Sequence, residues 1–429
     1  MMLKIYTGLT ALAEPFLNSL LNKRLNKGKE DAQRVDERRG IIRLPRPSGR
    51  LLWLHAASVG EAQSALILIH AVLKENPDFN IMVTSGTVTS AQRMKDSLPE
   101  RVFHQYVPLD HPQWVSRFLD HWKPNCVFWM ESELWPNMLL EIKRRNIPAA
   151  LINARLSPRS FSRWKIIGRS ILKLLAVFDV ILAQTDKDAD YFKALGADNV
   201  QVSGNLKYSA APLSYHEADL AGLSEAVGKR PLLIYASTHK GEENIAADLH
   251  VRLRKNHQNL LTIIIPRHPE RGDHIAQSLS DVDANLQMRG TEKSLPDIST
   301  GIYIADTLGE LGLFYRLGDI VYIGRSLSHD GGGGHNPLEP AQLKCAILHG
   351  EHIQNLREIY DDMQARDASI CVKDADMLFD AMQRILTDDN HKNSYIETAY
   401  DFAHSKAHIV EDVMKHVRSP LSQERGGNG

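Results

Sequence analysis

From position 51 onward, short apolar runs bounded by turn residues alternate with longer amphipathic stretches, and the alternation stops and restarts once. Strand followed by helix followed by strand is the pattern of a parallel sheet, because parallel neighbours need a crossover and the crossover is usually a helix. The first series of expected strands is 51–55, 81–84, 102–107, 126–130, 149–152, 180–182 and 200–203. Helices such as 62–73 and 164–175 fall between them. The second series is 232–236, 261–265, 302–305, 320–323, 346–349 and 369–372. Two sheets follow, hence two domains, and 429 residues suffice for both. With 43% hydrophobic and 24% charged residues, the chain is neither disordered nor collagenous. The stretch 208–228, with Pro212 and few large apolar residues, reads as an irregular linker. The expected organisation is a membrane-associating segment at 1–30, domains at 31–210 and 211–400, and a C-terminal helix and tail at 401–429, the helical tail covering 390–417.

Formal net charge is −1, so no global basic field makes nucleic acid the default partner. The first fifty residues differ, with eleven Lys or Arg against five Asp or Glu. Within them 3–21 is largely apolar but is broken by Lys4, Glu14 and Pro15, which argues against a span of about 20 uninterrupted apolar residues. A helix lying in the headgroup plane can turn Glu14 to water and sink Leu9, Leu12, Phe16, Leu17, Leu20 and Leu21, while Lys23, Arg24, Lys27 and Lys29 meet anionic lipid. The competing reading is an amphipathic helix docked on the protein's own body. No small-residue cleavage site follows. Cys126, Cys345 and Cys371 form no CxxC pair, which favours a reducing compartment over zinc or disulfides.

Open parallel sheets bind ligands beyond the carboxyl ends of their strands, and the polar clusters of this chain recur there. In the second half, Ser237 and Thr238 precede a helix start, Arg267 and Arg271 bracket a Pro-flanked turn, and Gly331–Gly334 lead into His335 and Asn336. Free helix N–H groups, two-pronged guanidinium groups and close backbone approach all suit phosphate. Glu339 suits the hydroxyls of a ribose. The plainer alternatives are a helix cap at Ser237 and Thr238 with Glu242 as partner, and a surface ion pair of Arg267 or Arg271 with Glu270. In the first half Glu61 opens a helix after Gly60, where it either complements the helix dipole or serves as general base to a sugar hydroxyl. Glu131 and Glu133 are rival carboxylates, with Glu133 expected to cap backbone. His329, Asp330 and His335 sketch a metal site, but the glycines between them fix no ligand geometry, so none is expected.

Eight strings in order resemble the 3-deoxy-D-manno-octulosonic acid (Kdo) transferases of lipopolysaccharide biosynthesis. They are Trp53 to Glu61 (WLHAASVGE), Glu131 to Asn137 (ESELWPN), Asn153 to Ser157 (NARLS), Ser203 to Lys207 (SGNLK), Ser237 to Glu243 (STHKGEE), Pro266 to Arg271 (PRHPER), Asp306 to Glu310 (DTLGE) and Gly333 to Pro340 (GGHNPLEP). The resemblance implies an α/β, GT-B glycosyltransferase of two Rossmann-like domains with parallel sheets facing across a cleft, and an N-terminal segment associated with the inner membrane at its cytoplasmic face. It implies transfer of Kdo from CMP-Kdo to a lipid A precursor, a tetraacyldisaccharide bisphosphate, inverting and without metal or cofactor. Carried over by position, Glu61 corresponds to the catalytic base. Lys207 and Arg267 correspond to donor ligands, with Ser237, Thr238, His268, Arg271, Gly334, Asn336 and Glu339 as further donor contacts. Arg325 departs from the pattern, standing where the family's Gly-Gly-Ser is expected.

Chemistry then orders the roles. An activated sugar with a carboxylate at its anomeric carbon and a cytidylate leaving group needs cations near both, and an opposing carboxylate to take the acceptor proton. Two other readings stay open on sequence: a GT-B transferase or epimerase using a UDP-sugar, and a membrane-peripheral nucleotide-binding scaffold with a decayed site.

Overall fold

A computed structural model describes residues 1–95, 98–209, 212–283, 285–290, 292–328 and 331–422. The chain divides into two compact units, Met1–Ser209 with His408–Gly429, and Ala210–Ala407.

The first unit is built on a seven-stranded sheet: β1 (Leu51–His55), β2 (Asn80–Ser85), β3 (Val102–Tyr106), β4 (Cys126–Met130), β5 (Ala149–Ala154), β6 (Val180–Ala183) and β7 (Val200–Val202). Their order is β3-β2-β1-β4-β5-β6-β7, and every pair is parallel. All residues of β1, β4 and β5 are buried, which is why these strands read as unbroken apolar runs: helices cover both faces of the sheet. Aromatic rings fill one side, Trp53 lying 5.0 Å from Phe118 and 5.7 Å from Trp129 between ring centroids.

The second unit repeats the plan with β8 (Leu232–Thr238), β9 (Leu261–Pro266), β10 (Gln287–Met288), β11 (Ile302–Ile304), β12 (Ile320–Ile323), β13 (Ala346–His349) and β14 (Ile370–Cys371). The order is β10-β11-β9-β8-β12-β13-β14, again all parallel. Two Rossmann-like units in one chain make the GT-B architecture. In each, the order of strands reverses at one point, between β1 and β4 and between β8 and β12, and that reversal opens a crevice beyond the carboxyl ends.

Several expectations need correction. The strand β10 escapes detection because its Gln287–Met288 pair is half-buried and lies in no apolar run. The expected helix at 164–175 is two helices, Pro158–Ile166 and Arg169–Leu175, separated at Gly168, whose φ of +47° no regular helix accommodates. The irregular 208–228 linker contains a regular helix, Glu217–Val227. The helical tail is likewise broken into Asp389–Ser405 and Ile409–Ser422, and the second piece belongs to the first unit. There Ile409 fills the space beside Gly204 (φ +87°), Val410 N–H donates to Ser209 Oγ at 3.2 Å, and Arg418 pairs with Glu75 at 3.1 Å.

At the N-terminus the apolar stretch is two helices, Met2–Leu12 and Glu14–Asn26, with Pro15 in the first turn of the second. Leu9, Leu12 and Phe16 are 64%, 82% and 69% exposed, but Leu21 is buried against the protein and is not available to lipid. Among the described residues no helix is long and apolar enough to cross a membrane.

Candidate active site

Helix Val59–Glu75 starts directly beyond β1, at the strand-order reversal of the first unit. Ser58 caps it, its Oγ accepting Glu61 N–H at 3.3 Å, and Glu61 reaches back so that Oε2 accepts Ala57 N–H at 2.8 Å. This reciprocal arrangement is a capping box shifted by one residue. A carboxylate that only complemented a helix dipole would titrate low. Glu61 is 5% exposed, and burial, reinforced by the charges of Glu131 and Glu133, outweighs the N–H of Ala57 and the Ser58 contact and pushes its pKa up to about 7. A carboxyl group poised near neutrality at a ligand crevice is what a general base requires.

Around it the strand ends supply polar atoms that the protein leaves unpaired. His55 Nδ1 is 2.8 Å from Thr84 Oγ1, while its Nε2 has no hydrogen-bond partner among the described residues; burial holds its pKa at about 3, so the ring is neutral. Asn153 Oδ1 accepts Leu206 N–H at 3.0 Å, and its Nδ2, like Ser203 Oγ, lacks a partner among the described residues. Asn153 and Glu131 sit at φ of +56°, a conformation that costs a side-chain-bearing residue on the order of 1 kcal/mol and gathers at functional sites. Glu133 does not cap backbone as expected: its Oε2 accepts the Trp135 indole N–H at 3.3 Å and its carbonyl accepts that of Trp129 at 2.7 Å.

Lys207 lies on the short turn Leu206–Ser209, which packs against helix Val59–Glu75. The turn is held by Asn153, by Asn205 Oδ1 accepting Lys207 N–H at 3.0 Å, and by the C-terminal helix through Ser209. Glu61 and Lys207 therefore share the carboxyl edge of the first unit's sheet.

The remaining expected donor residues gather at the reversal point of the second unit. Strand β8 extends through Thr238, so Ser237 and Thr238 are strand residues and not helix caps; the helix Glu242–Arg254 begins four residues later, after Gly241 at φ +100°. Thr238 is buried and its hydroxyl donates to Glu243 at 2.9 Å, and Arg271 pairs with the same Glu243 oxygen at 2.8 Å rather than with Glu270. Thr238 and Arg271 thus spend these groups on shaping the site. Ser237, at φ +57°, is buried as well. His268 is exposed with Nδ1 3.5 Å from Glu270.

Arg267, in contrast, projects into solvent beside Thr238 O, which accepts its backbone N–H at 3.1 Å, and no described residue forms an ion pair with it. The Gly-rich loop comes alongside with all four glycines at positive φ, and at Gly333 (φ +129°) a Cβ would strike Asn355. Gly334 N–H donates to Arg325 O at 3.1 Å. Beyond the loop Asn336 Nδ2 donates to Glu339 Oε1 at 3.2 Å, and burial lifts Glu339 to a pKa of about 7 against the opposing pull of Asn336 and of Arg267. His335 Nε2 stands 3.4 Å from His239 Nε2. Among the described residues no group of three side chains is arranged to hold a metal ion, and His329 and Asp330 lie outside the described residues.

Along the chain Glu242 figures only as the partner of a helix cap at Ser237 and Thr238, yet it is the residue that organises this loop system. Glu242 is buried, and its two oxygens accept the N–H groups of His239 (2.9 Å), Arg325 (2.7 Å), Ser326 (3.1 Å) and Leu327 (3.2 Å) and the hydroxyl of Tyr322 (2.9 Å). Only its place beside a second acid, Glu243, hinted at more than a helix start. E242A is expected to destabilise the second unit by at least about 3 kcal/mol in denaturant titration, because it orphans buried donors together. Arg325 has φ +60°, the conformation that glycine adopts freely, which accounts for the expected glycine at this position. R325G should therefore be more stable than R325A by about 1 kcal/mol in thermal melts, the difference isolating the backbone contribution.

Comparison with known proteins adds an independent line. A family model described as 3-Deoxy-D-manno-octulosonic-acid transferase (kdotransferase) matches residues 33–210. The 3-deoxy-D-manno-octulosonic acid transferase of Rickettsia bellii is 32% identical over 419 residues, covering 97% of this chain and 99% of that protein. That of Haemophilus influenzae is 34% identical over 364 residues, covering 83% of each. Among solved structures, UDP-GlcNAc 2-epimerase from Neisseria meningitidis bound to UDP-GlcNAc aligns at a TM-score of 0.50 with 14% identity, over 86% of this chain and 100% of that one. At that identity the likeness speaks for the fold alone, a fold that carries more than one chemistry.

Proposed function

The chain belongs to the 3-deoxy-D-manno-octulosonic acid (Kdo) transferase family, and on that footing we propose that it moves Kdo from CMP-Kdo to a hydroxyl of a lipid A precursor, with inversion at the anomeric carbon. It is a glycosyltransferase of lipopolysaccharide biosynthesis; the acceptor, the stereochemistry and the residue roles are our reading. The observation that carries it is Glu61, buried at the reversal point of the first sheet with its pKa lifted to about 7.

In this reading the first unit takes the acceptor. Glu61 removes the proton as the acceptor oxygen forms its bond to the anomeric carbon, while His55 Nε2 and Asn153 Nδ2 provide polar contacts for sugar hydroxyls. The second unit takes the donor. As the bond from the anomeric carbon to the phosphate oxygen breaks, its electron pair leaves with CMP, and Arg267 and Lys207 stabilise the negative charge of phosphate and sugar carboxylate. Glu339 and Asn336 face the ribose, Gly334 lets the backbone approach the nucleotide, and Ser237, Thr238, His268 and Arg271 contact or shape the donor pocket. The exposed Leu9, Leu12 and Phe16, followed by Lys23, Lys27 and Lys29, suit contact with the cytoplasmic face of the inner membrane, where the acceptor resides.

The test is a mass spectrum of the product formed from CMP-Kdo and a tetraacylated disaccharide bisphosphate. Expected are an acceptor heavier by one or more Kdo residues and an equal amount of CMP, with CMP and not UDP inhibiting. An unchanged acceptor in the presence of folded, CMP-binding protein sinks the proposal, and inhibition by UDP alone redirects it to a UDP-sugar.

A further inference from the structure

Between Ile142 and Phe178 the chain holds nine Lys or Arg and no Asp or Glu. The strand within this stretch is interior, so the charge collects on the helices Pro158–Ile166 and Arg169–Leu175, where Arg159, Arg163, Lys165, Arg169 and Lys173 are all exposed. Among the described residues none of these five has a carboxylate within ion-pair distance. A chain of net charge −1 has enough acids to neutralise a solvated face, and it does so one helix earlier, where Glu141 and Asp120 take up Arg144 and Arg145. A face left unneutralised implies a partner that supplies the negative charge.

The same surface carries an apolar tip. Ile166 is 83% exposed between Lys165 and the turn at Gly168, while Phe161, Trp164 and Ile167 pack into the core of the first unit and mount the helices firmly. The position matters as well. Helix Arg169–Leu175 packs on Pro136–Arg144, and helix Met2–Leu12, the carrier of exposed Leu9 and Leu12, packs on that same element. The cationic helix pair and the exposed apolar stripe therefore flank one helix of one unit.

We propose that the Pro158–Leu175 helix pair is a docking surface for an anionic phospholipid bilayer, acting beside the N-terminal helices. Cations with an apolar tip fit a headgroup layer, where charge sits above hydrocarbon; a purely ionic partner would have no use for Ile166 or for the stripe. One anchoring element alone binds reversibly, and a second turns residence from transient to stable. The inference goes beyond the transfer reading and stands without it, since vesicle binding needs neither donor nor acceptor.

The experiment is co-sedimentation of the full chain with vesicles of phosphatidylcholine, alone or with phosphatidylglycerol added, at increasing salt. Each cation near an anionic surface adds roughly fivefold to partitioning. The charge reversal R163E/K165E/R169E/K173E is expected to lose tenfold or more of the binding to phosphatidylglycerol vesicles, with unchanged binding to phosphatidylcholine alone. The neutral R163Q/K165Q/R169Q/K173Q, a milder change to exposed positions, should fall between it and wild type. L12S/F16S should weaken binding to both vesicle types and compound with the charge variants. Wild-type binding by the folded reversal or neutral variant overturns the proposal. So does normal vesicle binding coupled to lost transfer on a detergent-dispersed acceptor, which would give the cations to acceptor phosphates. Retention of single-stranded RNA by wild type, lost in the reversal variant and without vesicle binding, overturns it too.

Discussion

Replacing Glu61 by Gln lowers the transfer rate by about 100- to 10,000-fold while donor affinity, measured by CMP titration, stays within about twofold. Gln keeps the shape and can still accept the Ala57 N–H, so the helix start survives and only the proton acceptor is lost. The pH profile separates a base from a structural cap. With its pKa raised to about 7, Glu61 is mostly protonated below that value, so the wild-type rate climbs with pH through about 7 and then levels off. The residual activity of E61Q lacks that limb. Stability moves the opposite way. A carboxyl whose folded pKa lies above the ordinary value of 4.5 contributes stability that is fully present below 4.5 and lost as pH rises through about 7. At pH 8 the wild type therefore gives up as much as about 3 kcal/mol relative to E61Q, and the two melts converge toward pH 4. A wild-type rate in E61Q, or a flat difference in stability across this range, removes Glu61 from the role of base.

The second large effect falls on the donor. R267A is expected to weaken CMP-Kdo binding by about 100-fold or more, since removing a cation from a desolvated phosphate contact costs roughly 2 to 5 kcal/mol. Arg267 qualifies because no described carboxylate lies within ion-pair distance of it, whereas Arg271 is already paired with Glu243. R267K should recover only part of the affinity, a point charge replacing a two-pronged donor. Arg267 also favours the ionised form of Glu339, so in R267A the Glu339 carboxyl, already at about 7, rises further, and what donor binding remains should become more sensitive to pH near neutrality. Calorimetric titration with CMP decides the matter, and affinity within threefold of wild type in R267A would assign donor charge to other groups.

Thirteen of the fourteen strands among the described residues were legible as apolar runs, because a parallel sheet covered on both faces requires continuous hydrophobic strands and helices between them. The missed β10, Gln287–Met288, is half-buried, begins on a polar residue and is followed by Arg289, so no apolar run marks it, whereas the equally short β14 lies in the expected run 369–372. The site was legible as to which loops carry it, and less so as to what each side chain does. Thr238 and Arg271 look as suited to phosphate as Ser237 and Arg267 when read along the chain. Only folding shows that the first two converge on Glu243, one from the end of β8 and the other from the turn after β9, and that Glu242 collects donors from the turns after β8 and after β12.

The sequence alone determined the layer architecture, the number of sheets and the loops in which polar residues cluster, because these depend on local periodicity and on the chemistry of turns. Tertiary structure decided what depends on partners distant in the chain. It decided that Glu61 titrates near 7, since its burial and the charges of Glu131 and Glu133 come from separate strands. It decided that the last helix returns to support the Lys207 turn, and that Leu21 faces protein while Leu12 and Phe16 face outward. Hydrophobic pattern is written residue by residue; desolvation and charge pairing exist only after the strands are side by side.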